Sequence, residues 1–175
     1  MPRFAANLSL MFNEVPFLDR FEAAAQAGFK AVEYLSPYEH PAKEIAARLK
    51  GNGLTQALFN LPPGDSTKGG RGLAALPGCE EEFAAGVRTA LEYATALGCP
   101  LIHAWPGLRH HGADRKTYVA NLKKAAKTAA GAGVEVIIEP INTRDIPGFF
   151  LNTTAEARAV IHEVGEPNLG LQFDL

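Results

Sequence analysis

Two carboxylates in this sequence stand where they could do chemistry together. Glu139 closes the apolar run Val134–Glu139, and Asp174 closes the run Leu169–Asp174. A carboxylate that ends a buried strand is costly unless it is paired, hydrogen-bonded or bound to a cation. If the two runs are adjacent strands, both side chains can share one divalent ion, and hard oxygen ligands suit Mg²⁺ or Mn²⁺. A salt bridge from Glu139 to Arg144 or to a nearby lysine is an equally good interpretation of the spacing.

Other polar side chains fall in or at the end of further β-like runs. Glu33 lies in the second run, Asn60 ends the third, and His103 lies in the fourth. Ligands of parallel α/β folds bind at the carboxyl ends of the strands. We therefore expect His103 to be placed to contact a substrate, although a hydrogen-bonded core histidine is the plainer interpretation.

The loop Leu61–Gly78 is long enough to cover a site at those strand ends. It carries Lys68 and Arg71, two cations that could attract an anionic substrate. Trp105, at the end of the fourth run, either forms an apolar wall of the pocket or packs against the loop.

The elements that must position these residues alternate regularly along the chain. The pattern predicts six strands joined by five helices, β(αβ)₅, with Asp114 capping one helix and a Thr153–Glu156 capping box opening another. The predicted strands are Phe4–Leu8, Ala31–Leu35, Leu54–Asn60, Leu101–Trp105, Val134–Glu139 and Leu169–Asp174.

Two parallel folds compete for this pattern, a doubly wound open sheet and an eight-fold (β/α) barrel. No glycine-rich phosphate-binding turn follows the first strand, where Ser9–Asn13 stands instead. We expect an α/β fold of the TIM-barrel type, with about six parallel strands and five helices in chain order. On this interpretation residues 1–175 form a single domain that is incomplete at its C-terminus, because Leu175 directly follows a strand.

Composition narrows the class of protein. The 175 residues carry 17 basic and 19 acidic side chains, a net charge of −2, which argues against a general nucleic-acid binder. No apolar run reaches the ~18–20 residues of a membrane span, and no signal peptide is recognisable. The two cysteines, Cys79 and Cys99, make neither a disulfide framework nor a zinc site. A cytoplasmic protein is expected.

Several segments resemble hydroxypyruvate isomerases, which belong to the xylose-isomerase-like barrels. The most specific are Ile138–Asn142 and Ile146–Phe149, which read Ile-Glu-Pro-Ile-Asn and Ile-Pro-Gly-Phe. The other segments that carry the resemblance are Arg3–Ser9, Arg20–Ala24, Gly28–Glu33, Asn60–Pro62, Arg71–Gly72, Pro77–Phe83 and Asn168–Asp174. One departure is Phe59, where members of the family often have histidine.

The resemblance implies roles for particular residues. Glu139 would be both a metal ligand and the acid/base, Asp174 a second ligand, and Asn7, Glu33 and Asn60 would line the substrate end of the barrel. The divalent ion would be Mg²⁺ or Mn²⁺. The family's remaining ligands, including a second catalytic glutamate, lie on strands seven and eight, so residues 1–175 alone should turn over substrate barely above background.

The activity that the resemblance implies is a metal-dependent aldose–ketose isomerisation. Hydroxypyruvate would become tartronate semialdehyde through an enediolate, and 2-oxo-tetronate isomerase or ketose 3-epimerase are alternatives. The partner is then a small 2-oxo acid or sugar, with no nucleic acid and no membrane. A function of another class also stays open, a non-catalytic barrel fragment or interaction module whose exposed sheet edges self-associate or recruit a partner.

Overall fold

The computed structural model describes residues 3–64 and 70–174, which form six parallel strands and five α-helices. The strands are β1 Ala5–Asn7, β2 Ala31–Tyr34, β3 Thr55–Asn60, β4 Leu101–His103, β5 Glu135–Ile138 and β6 Leu169–Leu171. The helices are α1 Arg20–Gln26, α2 Ala42–Gly51, α3 Glu80–Leu97, α4 Arg115–Ala130 and α5 Thr154–Val164. None of the described helices is long and apolar enough to cross a membrane.

The strands follow chain order across the sheet, β1-β2-β3-β4-β5-β6, and every neighbouring pair is parallel. A doubly wound sheet would reverse its order at a switch point. The observed order therefore confirms the expected TIM-barrel type of α/β fold.

Strand residues alternate between the helices and the barrel interior. The ring of Tyr34 packs against Phe21 of α1, with ring centroids 6.0 Å apart, and against Phe59 of β3 at 6.5 Å. Because side chains alternate along a strand, Glu33 and Asn60 face the interior. Phe59 thus lies in the layer between sheet and helices, away from the polar side chains of the interior.

The helix ends are formed by the local signals expected from the sequence. The Asp114 carboxylate accepts a hydrogen bond from the Thr117 amide, and Thr153 and Glu156 form the complete capping box. Helix α3 ends at Gly98, whose φ of 62° is left-handed.

Five strands end earlier than predicted, β1 and β2 by one residue each, and β4, β5 and β6 at positions that affect the site. β4 ends at His103 because the backbone next to Trp105 turns to pair with another loop, through a bridge between Gly72 and Pro106. β5 ends at Ile138 and β6 at Leu171, so Glu139 and Asp174 lie just beyond the sheet. The carboxyl ends of the strands, together with the segments that directly follow them, form the mouth of the barrel.

A candidate active site at the mouth of the barrel

The first two strands bring an amide and a carboxylate together at the mouth. Asn7 and Glu33 are paired in the register of β1 and β2, and the Asn7 side-chain amide donates to Glu33 Oε1 at 3.0 Å. Burial raises the pKa of Glu33, the hydrogen bond from Asn7 opposes that rise, and the carboxylate of Asp174 adds to it.

The middle strands place a buried imidazole between an amide and a carboxylate. His103 Nδ1 lies 3.3 Å from Asn60 Oδ1 and 4.0 Å from Glu139 Oε2. Burial lowers the pKa of His103 to about 3, so the ring is neutral at physiological pH. If Nδ1 carries the proton, as its contact with the Asn60 oxygen requires, Nε2 is an acceptor. Nε2 is buried and has no hydrogen-bond partner among the described residues.

Glu139 and Asp174 lie next to each other at the ends of β5 and β6. Burial, with smaller contributions from the adjacent carboxyl of Asp174 and from Glu33, raises the pKa of Glu139 to about 8. The salt bridge to Arg144 that the spacing allowed is not formed in the described structure, where the basic group within 4.0 Å of the Glu139 carboxylate is the neutral ring of His103. The carboxylates at the mouth thus face one another without a compensating basic side chain.

This arrangement fits a cation. A divalent ion between the two neighbouring carboxylates would stabilise both in the charged form, including Glu139, whose pKa is raised. Within the described residues, no group of three or more histidine, cysteine, aspartate or glutamate side chains is arranged to hold a metal. Glu139 and Asp174 are therefore the two protein ligands that this part of the chain could supply.

Sequence reasoning missed Gln172. Its side-chain amide donates to Asp174 Oδ1 at 3.3 Å, and its Oε1 is buried with no partner among the described residues. Its position two residues before Asp174, hence on the same side of an extended chain, is a signal that could have identified it. Gln172 orients the Asp174 carboxylate at the mouth.

The loops after β3, β4 and β5 are joined by their backbones, and we call these three segments together the loop clasp. Gly72 bridges to Pro106, and Leu108 bridges to Phe149. Arg109 reinforces the second junction, since its guanidinium donates to the carbonyl of Phe150 at 2.7 Å. The clasp fixes the backbone around one side of the mouth.

Trp105 forms the wall of the mouth within the clasp. Its ring centroid lies 5.9 Å from that of His103 and 6.1 Å from that of Phe149, and its Nε1 is buried without a partner among the described residues. The guanidinium carbon of Arg71 lies over the Trp105 ring, 5.6 Å from its centroid. Lys68, the other cation expected in this loop, falls outside the described residues.

Comparisons with known proteins identify the family of this chain. The family model described as xylose isomerase-like TIM barrel matches residues 21–175. The chain is 58% identical to the 2-oxo-tetronate isomerase of Cupriavidus necator, with 99% of this chain and 68% of that protein aligned. It is 45% identical to the hydroxypyruvate isomerase of Escherichia coli, with 100% of this chain and 69% of that protein aligned.

Solved structures share the fold. A crystal structure described as an AP endonuclease of family 2 from Brucella melitensis superimposes with a TM-score of 0.96 at 51% identity, covering 100% of this chain and 69% of that one. A D-psicose 3-epimerase structure has a TM-score of 0.70 at 21% identity, covering 90% of this chain and 57% of that one, a likeness of fold alone. The chain therefore belongs to the xylose isomerase-like TIM barrel family, beside relatives that are named isomerases.

Proposed function

We propose that this protein isomerises short 3-hydroxy-2-oxo acids, converting hydroxypyruvate to tartronate semialdehyde and 2-oxo-tetronate to its 3-oxo isomer. The observation that carries the proposal is the buried carboxyl of Glu139, which adjoins Asp174 and the neutral His103 at the mouth. The two substrates differ by one hydroxymethyl group and undergo the same reaction. The relative at 58% identity favours 2-oxo-tetronate, and the relative at 45% favours hydroxypyruvate.

The reaction moves two protons and needs no outside oxidant. Glu139 takes the proton from C3, and the C3–H electron pair forms the C2–C3 double bond of an enediolate. The same carboxyl then returns a proton to C2, while the proton of the C3 hydroxyl is transferred to the C2 oxygen. A positioned general acid–base group of this kind contributes about 10²–10⁴-fold to the rate.

The other mouth residues bind and orient the substrate in this proposal. The neutral ring of His103 can accept a hydrogen bond from a substrate hydroxyl at Nε2, because Nδ1 is occupied by Asn60. Asn7 holds Glu33 in place on the opposite side, where the Glu33 carboxyl can bind a second hydroxyl. The pairing across β3 and β4, Asn60 opposite His103, fixes both side chains at one level.

Glu139 and Asp174 would hold the divalent ion, Mg²⁺ or Mn²⁺. When bound, such an ion supplies positive charge that stabilises negative charge developing on the substrate oxygens. Gln172 would keep the Asp174 carboxylate in place for this role.

A nuclease activity, as in the description of the Brucella melitensis structure, fits this mouth less well. Its polar lining includes the carboxylates of Glu33, Glu139 and Asp174, and the chain carries a net charge of −2. Nucleic-acid binding depends on basic side chains that neutralise phosphates.

The test is an NMR assay of the purified protein with Mn²⁺ or Mg²⁺. Hydroxypyruvate and 2-oxo-tetronate should each be converted to the 2-hydroxy-3-oxo isomer faster than in buffer with the metal alone. D-fructose and a DNA duplex with an abasic site should stay unchanged. Epimerisation of fructose at C3, cleavage of the DNA, or conversion of neither acid would contradict the proposal.

A further inference from the structure

We propose that Arg71, stacked on Trp105 at the rim of the mouth, binds the carboxylate of the substrate and so selects 2-oxo acids over uncharged ketoses. The inference rests on the proposed function and names the group that determines its substrate class.

The backbone next to Arg71 is fixed against β4. Gly72 pairs with Pro106, and its amide donates to the carbonyl of Pro63 at 2.9 Å. A Cβ atom on Gly72 would lie 2.1 Å from the Trp105 carbonyl oxygen, so the two backbones are in direct contact. The amide of Ala74 then donates to that same oxygen at 3.3 Å. Arg71 is held at one place on the rim by these contacts.

Two rings lead from Arg71 to the catalytic carboxyl. The guanidinium lies over Trp105, Trp105 lies beside His103, and His103 Nδ1 lies 4.0 Å from Glu139. Stacking on an aromatic face leaves the edge of a guanidinium, with its N–H donors, available to a ligand. Arg71, Trp105, His103 and Glu139 thus follow one another along one wall of the mouth, and in this proposal an acid bound at Glu139 directs its carboxylate along this wall toward Arg71.

Arg109 shows what a structural arginine looks like in the same clasp. It too stacks on an aromatic ring, with its guanidinium carbon 5.1 Å from the Phe150 centroid. Its N–H groups, however, bond to the Phe150 carbonyl at 2.7 Å and lie 3.7 Å from the Glu156 carboxylate. The side chain of Arg71 is exposed and forms no ion pair within the described part of the chain.

The charge at the mouth favours such a cation. The carboxyl groups of Glu33, Glu139 and Asp174 interact with one another there, and their negative charge repels the carboxylate of an anionic substrate. An arginine stays charged at every physiological pH and matches a carboxylate with two parallel N–H donors. A ketose without the carboxylate gains nothing from this group, which is the basis of the selection.

The experiment compares two ligands that differ only in that group, hydroxypyruvate and dihydroxyacetone. Their binding to the purified protein with Mg²⁺ is measured by NMR titration for the unmodified chain, Arg71→Met and Arg71→Lys. Arg88→Met, an exposed arginine on α3, is the matched control for the loss of one charge. The Arg71→Met variant should bind hydroxypyruvate about 10- to 100-fold more weakly, as expected for loss of a charge-assisted hydrogen-bonded pair.

The other variants and the second ligand show whether the loss of affinity is specific to the carboxylate. Arg71→Lys should recover part of the affinity, because it restores the charge without the two-donor geometry. Binding of dihydroxyacetone should not change in any variant, and Arg88→Met should match the unmodified chain. Hydroxypyruvate binding that is unchanged in Arg71→Met, equal losses for both ligands, or no hydroxypyruvate binding to the unmodified chain would overturn the inference.

Turnover separates this inference from the proposed function. If hydroxypyruvate binds in an Arg71-dependent way and is not isomerised, the proposed function fails and the carboxylate site stands. If hydroxypyruvate is isomerised with the same KM by Arg71→Met as by the unmodified chain, the carboxylate site fails and the proposed function stands.

Discussion

The two sides of the mouth are built differently. Around β3, β4 and β5, backbone bridges join the loops, and the polar side chains between them, Asn60 and His103, are almost completely buried. Around β1, β2 and β6, by contrast, apolar side chains are exposed to solvent, Leu10 by 70% and Phe173 by 61%. Asp174, which supplies charge to the site, lies on this open side and is itself exposed.

This difference separates two tasks of a catalytic site. The clasped side holds a neutral imidazole, an amide and a tryptophan in fixed positions, which is what orientation of a substrate requires. The open side contributes carboxylates whose mutual repulsion a bound cation would relieve. We infer that substrate orientation depends on the clasp, whereas metal affinity depends on both sides, through Glu139 at the end of β5 and Asp174 on the open side.

The sharpest way to break the clasp is Gly72→Ala. The strained φ of +99° costs an alanine about 1–3 kcal/mol. The added Cβ would also lie 2.1 Å from the Trp105 carbonyl oxygen, so we expect a total loss of at least about 3 kcal/mol in the free energy of unfolding in urea.

The matched control is Gly28→Ala at the amino end of β2. Gly28 has a similar φ of +94°, and a Cβ there would meet nothing within 4 Å. Gly28→Ala should lower the free energy of unfolding by about 1–2 kcal/mol, because only the backbone conformation is unfavourable there. Equal losses at the two glycines would show that the contact between the clasped loops contributes nothing to stability.

A buried amide connects the clasp to the helices. The side chain of Asn121 on α4 is 2% exposed and donates to the carbonyl of Ala74 at 3.0 Å. Asn121→Ala should cost about 1–3 kcal/mol in urea unfolding, because it leaves that carbonyl without a donor. Asn13, which donates to Leu10 at 3.0 Å from an exposed position on the open side, is the control. Asn13→Ala should change stability by less than about 0.5 kcal/mol, and a larger effect there than at Asn121 would reverse the comparison.

The Asp174→Asn variant tests the contribution of the open side to metal binding. Removing this carboxylate should weaken Mn²⁺ binding by about tenfold or more, measured from the free Mn²⁺ signal in electron paramagnetic resonance. Asp145→Asn, an exposed carboxylate in the loop after β5 that is hydrogen-bonded by Asn142, should leave the affinity unchanged. Equal Mn²⁺ affinity in the two variants would remove Asp174 from the metal site.

The smallest effect concerns the pH response of His103. Burial lowers its pKa to about 3, so its imidazole NMR signals should keep their neutral shifts down to pH 5. A cation bound near Glu139 would lower the pKa of His103 further, so the imidazole signals would still keep their neutral shifts. Since the unfolded chain binds a proton at His103 below about pH 6.5, this group reduces stability as the pH falls from there toward 3. Titration near pH 6.5 would show that the clasped side is open to water.

Much of the fold could be predicted from the sequence. The strand order, the Asp114 cap and the Thr153 capping box were expected and are present, because each depends on local patterns or on the chirality of parallel connections.

Only part of the candidate site could be predicted from the sequence. Alternation along strands predicts that Glu33, Asn60 and His103 face the interior, and the register pairs Asn60 with His103. The bridges at Gly72 and Leu108 join loops distant in sequence, and no local pattern encodes them. The sequence indicates Arg71 as a cation for an anionic substrate, but its stacking on Trp105 depends on those bridges and is seen only in the tertiary structure.

The most direct test of the central claim is proton exchange at C3 of hydroxypyruvate. In D₂O with Mg²⁺, the unmodified protein should introduce deuterium at C3 faster than buffer does, as followed by proton NMR. Glu139→Gln should reduce exchange to the buffer rate. Glu135→Gln, at the exposed amino end of the same strand, should exchange like the unmodified protein. Exchange in Glu139→Gln that equals that of the unmodified protein would contradict the assignment of Glu139 as the group that moves the proton.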